Sequence, residues 1–465
     1  MVGNNRITMI GLGKISFMPF VALVLTGLTA CASHDEASLS ESASAMTGES
    51  VTWQVQSEDA VAATALTDLV SVEGLQAYID EALENNASLQ QTLITLRKAQ
   101  VAIKSADAAD NLNVDASFSG AKTENSDANY TSGLTVSWEV DLWQKISDSV
   151  TAASFDAASA RSAYQSSRDA LVASVIRNYL DIITQKQLLA IEQERLGVYE
   201  NSESIILKRY RTGLGSLDDL DNAKTSSANT RASIALYENT ISAAKRTLAV
   251  LLGRQDQSLS DFPAVTKFPE VLEPMLALPE QDLARRPDLQ AAYYAIKADE
   301  ANVKVAYKAL LPSINLSAGL TDNGVTPSQS LFSNPLWNLL GQVTAPLFQG
   351  GALRAQIDDA KLNTLNSWWQ YRETLLNAVQ EVQNALDNEK AFTQRQYYTD
   401  IAYRNALNSA ETFSGQYRQG LVDILDLLSV YDTTFNLQAQ RVELQYSQLS
   451  NRIDLGLALG LGVSQ

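Results

Sequence analysis

The chain has 465 residues, 35 of them basic and 53 acidic, for a formal charge of −18. A chain this acidic lacks the basic face that nucleic acid requires. One Cys and one His exclude an internal disulfide and speak against a transition-metal site or a His-based triad, and the scattered Asp and Glu offer no convergent acid/base pair, so no catalytic residue, cofactor or metal is expected.

Arg6 and Lys14 come before an apolar stretch from Ile15 to Ala30. It is too short for a membrane helix, so residues 1–30 read as a signal peptide. The stretch closes on Leu28-Thr29-Ala30-Cys31, which resembles the bacterial lipobox. That resemblance implies a lipid on Cys31, and Ala32 and Ser33 in place of Asp imply sorting to the outer membrane. The alternative is a plain signal peptide with an incidental Cys. Residues 31–60, rich in Ser, Ala and acid, read as a flexible tether.

Two structural repeats follow, at 61–262 and 288–465. In the first, a helical run from Asn86 ends at Leu112 and Asn113. Strands near 113–123 and 131–142 come next. Val114, Ala116 and Phe118 alternate with Asp115, Ser117 and Ser119, and Leu134, Val136, Trp138, Val140 and Leu142 oppose Thr135, Ser137, Glu139 and Asp141. No Gly or Pro then interrupts Lys145 to Leu196, a helix of about 75 Å if straight. Two apolar stripes on it, one through Val172 and Tyr179 and one through Ile176 and Ile183, imply neighbours on two sides. A Tyr-Arg-x-Gly turn at Tyr210 to Gly213 leads to a second long helix.

Residues 263–287 carry Pro263, Pro269, Pro274, Pro279 and Pro287, and so form an extended connector. The second repeat copies the first. Its strands lie near 313–322 and 336–347. Ile314, Leu316, Ala318 and Leu320 share one face of the first, and Trp337, Leu339, Val343 and Leu347 one face of the second. Ala352 to Ser414 is free of Gly and Pro, about 95 Å as a helix. Its turn is Tyr417-Arg418-Gln419-Gly420.

Strands with one apolar face fit a half-buried soluble sheet or a membrane barrel wall. The lipobox and the placement between very long helices favour the barrel. Four strands cannot enclose a pore, and lipid forbids open edges. The chain must then oligomerise, and a trimer supplies twelve strands.

These residues together resemble the bacterial TolC-like outer-membrane efflux family, in particular its lipoprotein branch, which serves resistance-nodulation-division pumps. The motifs that carry the resemblance are Leu-Ala-Arg-Arg-Pro-Asp-Leu at 283–289, Ser-Trp-Glu-Val-Asp-Leu-Trp at 137–143, Ala-Pro-Leu-Phe-Gln-Gly-Gly at 345–351 and the two turns. The resemblance implies a mainly α fold with a membrane β-barrel: a homotrimer whose twelve-stranded barrel sits in the outer membrane on an α-helical periplasmic tunnel, with an equatorial belt built partly from the connector and chain ends. It implies a passive exit duct from the periplasm, driven by an inner-membrane pump. A periplasmic adaptor opens it at turns comprising Arg209, Tyr210, Arg211 and Gly213, and Tyr417, Arg418 and Gly420.

The family also narrows at its periplasmic tip. By spacing from Gly420, Leu425 falls at an apolar ring and Asp426 at an acidic ring. Ser429 stands where the family has Asp. Asp219 matches an acid that bonds a tyrosine of the second turn, here Tyr417. Val422 replaces a basic partner often found there. Facing carboxylates around a pore repel and raise one another's pKa, and a ring of Leu closes a pore by excluding water. The alternatives are a coiled-coil core position for Leu425 and a helix N-terminal cap for Asp219. Two other functions fit less of the chain: a channel for an ABC-type, type I secretion-like exporter, and a lipid-anchored periplasmic coiled-coil scaffold without a pore.

Overall fold

A computed structural model describes residues 38–47, 60–61, 63, 65–70, 72, 74–257, 259–274 and 283–463. Cys31, the signal peptide, most of the tether and part of the connector lie outside the described residues. The elements run α1 (Leu39–Thr47), β1 (Ala60–Val61), α2 (Leu75–Asn85), α3 (Ala87–Asp107), β2 (Asn113–Ala121), β3 (Asn129–Glu139), α4 (Lys145–Arg211) and α5 (Leu217–Leu251). After β4 (Glu273–Pro274) come α6 (Pro287–Lys308), β5 (Ser313–Gly324), β6 (Leu336–Thr344), α7 (Ala352–Arg418) and α8 (Ile424–Ala458).

The long helices α4 and α7 have 67 residues each, about 100 Å of shaft. Both pass the glycines at which the uninterrupted runs were expected to stop, Gly197 and Gly415. A mid-helix Gly costs only about 1 kcal/mol, which buried neighbours such as Tyr199 and Ile206 outweigh. Near the strands the helices pack side by side in the order α3, α4, α6, α7; at the far end the order is α5, α4, α8, α7. Each long helix therefore spans the full height, and each short pair shares one column.

The junctions within those columns are capped from the sequence. Asn86 accepts from the Leu89 N–H at 3.0 Å to start α3, and its Nδ2 donates to the Leu251 carbonyl at 2.9 Å to close α5. In the second repeat Arg286 starts α6 and donates to the Ala458 carbonyl at 3.1 Å, while holding Asp288 and Glu381, each at 2.7 Å. Gly253, at φ 71°, ends α5; a Cβ there meets the Asn85 carbonyl oxygen at 2.4 Å. Gly213 has the same φ sign but open space around it. Gly253→Ala is therefore expected to lower the melting temperature clearly more than Gly213→Ala, which carries only the left-handed cost of roughly 1 kcal/mol; thermal denaturation followed by circular dichroism checks this.

The largest core lies mid-shaft. There α2, the 3₁₀ turn Leu66–Leu69, Phe262 and the end of α8 pack on α4, where the stripe through Val172 and Tyr179 and that through Ile176 and Ile183 merge into one face rather than pointing to two sides. Phe262 sits 5.2 Å from the Tyr179 ring and 6.2 Å from that of Tyr78. The parallel β1–β4 pair and the Ala65–Gly462 bridge join chain start, connector and chain end into a belt. Asp169 of α4 holds the end of the chain, accepting from the Val463 N–H at 2.9 Å and the Gln165 amide at 2.9 Å. Burial pushes its carboxyl above the ordinary aspartate range, against those two hydrogen bonds. Folding then takes up a proton between the unfolded and the raised folded pKa. Stability through Asp169 is greatest below that window, falls as pH rises across it, and stays at its lowest above it. Asp169→Asn is expected to flatten this part of the melting temperature–pH curve.

One expectation is corrected. Within the tether, Leu39–Thr47 is a helix docked on α6 and α7. Ser38 and Ser40 donate to the Glu300 carboxylate at 2.8–3.0 Å, and Tyr371 donates to the buried Ala43 carbonyl at 2.9 Å. Leu39, Ala43 and Met46 form a one-sided apolar stripe, which average composition conceals.

Candidate functional site

Two ends of the molecule carry the functional geometry. At one end β2, β3, β5 and β6 form a single antiparallel sheet in that order. The register sets Val114 beside Val136, Val136 beside Ala318 and Ala318 beside Leu339. One row lower, Trp138 pairs with Leu316. Side chains alternate, so these rows share one face and the intervening Thr135, Ser317 and Asn338 share the other. The four apolar faces read from the sequence therefore fuse into one. Leu340 is an apolar exception on the polar face. Leu347 lies beyond the end of β6, and Val140 and Leu142 lie beyond β3, although the Val140 N–H still donates to the Ile314 carbonyl at 2.9 Å.

The outer strands β2 and β6 each pair on one side only. The helical edges are equally bare: Leu362, Trp369 and Leu376 are exposed along α7, and Ile94 and Val101 along α3. Among the described residues no helix is long and apolar enough to cross a membrane.

At the opposite end the two hairpins finish in the same turn. Gly213 and Gly420 both lie at φ 74°. The Leu214 N–H reaches the Arg209 carbonyl at 2.9 Å, and the Leu421 N–H reaches that of Gln416 at 2.9 Å. This is the Schellman geometry, which needs a left-handed residue and explains each turn glycine. Arg209, Tyr210, Arg211 and Arg418 are exposed, whereas Tyr417 is half-buried. The next helices start on caps. Ser216 and Asp219 form a capping box, and Asp423 accepts from the Ile424 N–H at 2.5 Å.

Tyr199, Ile206, Leu220, Ile424, Leu427 and Leu428 tie the two hairpins into one apolar cluster. Leu425 and Tyr417 lie at its edge, each half-buried. Asp426 and Ser429, one turn apart, share the exposed side of α8. The expected Asp219–Tyr417 hydrogen bond is not formed among the described residues; Asp219 instead closes its own cap, 3.4 Å from the Ser216 N–H.

Sequence reasoning missed a polar network above this cluster. Tyr199 of α4 donates to Asp432 of α8, and Arg195 donates to Asn436 at 2.7 Å, pairs with Glu192 at 3.3 Å and lies over the Phe435 ring. Burial, and then the bond to Asp432, pushes the Tyr199 hydroxyl well above the usual tyrosine range. Burial also raises Glu192, with Arg195 opposing. The only signal in the sequence was that Tyr199 and Asp432 lie at similar distances from the two turn glycines.

The family model for the outer membrane efflux protein matches residues 78–254 and 278–461, that is, both repeats and the sheet. The chain belongs to that family. Among outer membrane efflux proteins it is 28% identical over 410 residues to the cation efflux system protein CusC of Escherichia coli, covering 84% of this chain and 86% of that one. It is also 28% identical over 404 residues to the probable efflux pump outer membrane protein TtgC of Pseudomonas putida, covering 83% of each. The solved structure of the outer membrane protein VceC from Vibrio cholerae superimposes with a TM-score of 0.75 at 25% identity, over 84% of this chain and 97% of that one. The outer-membrane channel OprN gives a TM-score of 0.81 at 20% identity, over 89% of this chain and 96% of that one.

Proposed function

We propose that three copies of this outer membrane efflux protein close into one hollow cylinder, a passive exit duct from the periplasm to the outside. β2 of one protomer pairs with β6 of the next, giving a twelve-stranded barrel that presents its apolar face to lipid. The bare α7 edge meets the α3 and α5 edge of the neighbour, so the helical columns close as well. The observation that carries this reading is the single apolar face with two unpaired margins, continuous with helices of about 100 Å. Lipid tolerates such a sheet only when closed.

Cys31 carries the lipid that anchors the start of the chain to the outer membrane. An adaptor docks on the exposed turns at Arg209, Tyr210, Arg211 and Gly213 and at Arg418 and Gly420, beside Tyr417, and an inner-membrane pump of the resistance-nodulation-division type supplies the energy. Leu425, Asp426 and Ser429 line the aperture; behind it Tyr417 packs between the hairpins and Asp219 fixes the start of α5. The chain does no chemistry of its own. The relatives named above are a cation efflux protein and an efflux pump protein, and a passive duct serves such different cargo equally.

The test is conductance. Purified protein in planar lipid bilayers is expected to give discrete ion-conducting steps that grow when the tip is loosened. Stable membrane attachment with no conducting step, even from tip variants, would indicate a scaffold without a pore.

A further inference from the structure

The segment joining β5 to β6, residues 325–335, folds back on one particular side of the sheet. Ser132 donates its hydroxyl to the Ser330 carbonyl, and Asp322 accepts from the Asn334 N–H at 3.1 Å. At Gly324 a Cβ would meet Gln329 Cβ at 2.7 Å and the Ser330 nitrogen at 2.9 Å. Ser132 pairs with Asp322, and the row beside it pairs Leu134 with Leu320. All three contacts therefore rise from the face that carries Leu134, Leu316 and Leu320. A loop bent toward the opposite face would cover Thr131 and Thr321 instead.

We propose that this loop is an outward collar that sits in the outer leaflet at the rim of the barrel, with lipid as its partner. The inference rests on the barrel reading above, in which the apolar face meets lipid. A carboxylate on a lipid-facing strand is costly unless it is paired and covered. Asp322 is 4% exposed and Ser132 2% because the loop lies over them. The loop leaves Val325, Leu331 and Phe332 exposed, the last two at 60% and 45%, so apolar surface resumes beyond the covered polar step. Phe332 lies at φ 53°, uncommon for a bulky residue. The channel mouth is left free of this loop.

The test places an environment-sensitive fluorophore on Phe332→Cys. Trimers that conduct in planar bilayers are reconstituted into phosphatidylcholine vesicles with or without bromines near the headgroup end of the acyl chains. Protein lacking the introduced cysteine is the labelling blank, and Leu339→Cys is the lipid-facing reference. Blue-shifted emission at position 332, quenched by brominated lipid and shielded from aqueous iodide, is expected. Adding Gly324→Ala, which displaces the loop, is expected to weaken that lipid quenching while leaving position 339 unchanged. Quenching of 332 by iodide alone, with 339 still quenched by lipid, overturns the collar and leaves the barrel standing. Loss of lipid quenching at both positions overturns the barrel, and the collar with it.

Discussion

Leu339→Arg is expected to abolish both the heat-resistant trimer and outer-membrane insertion. Leu339 lies midway along β6, on the apolar face and beside Ala318. An Arg at the lipid-facing midplane of a barrel costs about 2–4 kcal/mol, and three copies carry it at once. β6 is also a margin that must pair with the next protomer, so the defect falls on the closing step. Gln342→Arg is the control. It lies on the same strand but on the polar face, opposite Asn315, and is expected to insert and assemble normally. Failure of Gln342→Arg with normal assembly of Leu339→Arg, in membrane fractionation and unheated gels, would mean that the faces are assigned the wrong way round, and normal assembly of both would mean that neither meets lipid.

The second large effect is at the tip. Leu425→Ala combined with Asp219→Ala is expected to raise single-channel conductance several-fold. Leu425 sits at the edge of the cluster that binds the two hairpins, beside exposed Asp426. Truncating it removes apolar bulk from the narrowing and loosens the same contact. Asp219 closes a capping box with Ser216, and losing such a cap costs about 1 kcal/mol. Ser216→Ala separates the two roles of Asp219, since it breaks the cap and keeps the carboxylate. If it raises conductance as much as Asp219→Ala does, Asp219 acts through its helix start. Unchanged conductance in the double variant removes these two residues from the aperture.

The period-two alternation revealed the sheet because every strand has a single apolar face, and one register aligns all four. Strand ends were less visible. Asp141 turns the chain by accepting from the Ile146 and Ser147 N–H groups at 3.0 and 2.8 Å, which stops β3 earlier than its apolar pattern does. Gly213 and Gly420 were legible because a tight helical exit requires positive φ. The docking of Leu39–Thr47 was hidden by composition, since Ser and Ala serve a tether and a close-packed groove equally well. Contacts between distant helices, such as Tyr199 with Asp432, depend on how the two hairpins lie against each other, and no local pattern encodes that. Asp219 shows the converse: its cap is written in the four residues from Ser216, whereas its expected tertiary partner, Tyr417, is not reached.

The central claim is that one chain is a third of a closed wall. Its most direct test is the protein mass of the detergent-solubilised particle, measured by light scattering with the detergent contribution subtracted. A mass three times that of the mature chain, with the strand signal retained in circular dichroism, is the expected result. A stable particle with the mass of a single chain and the same strand signal would contradict it.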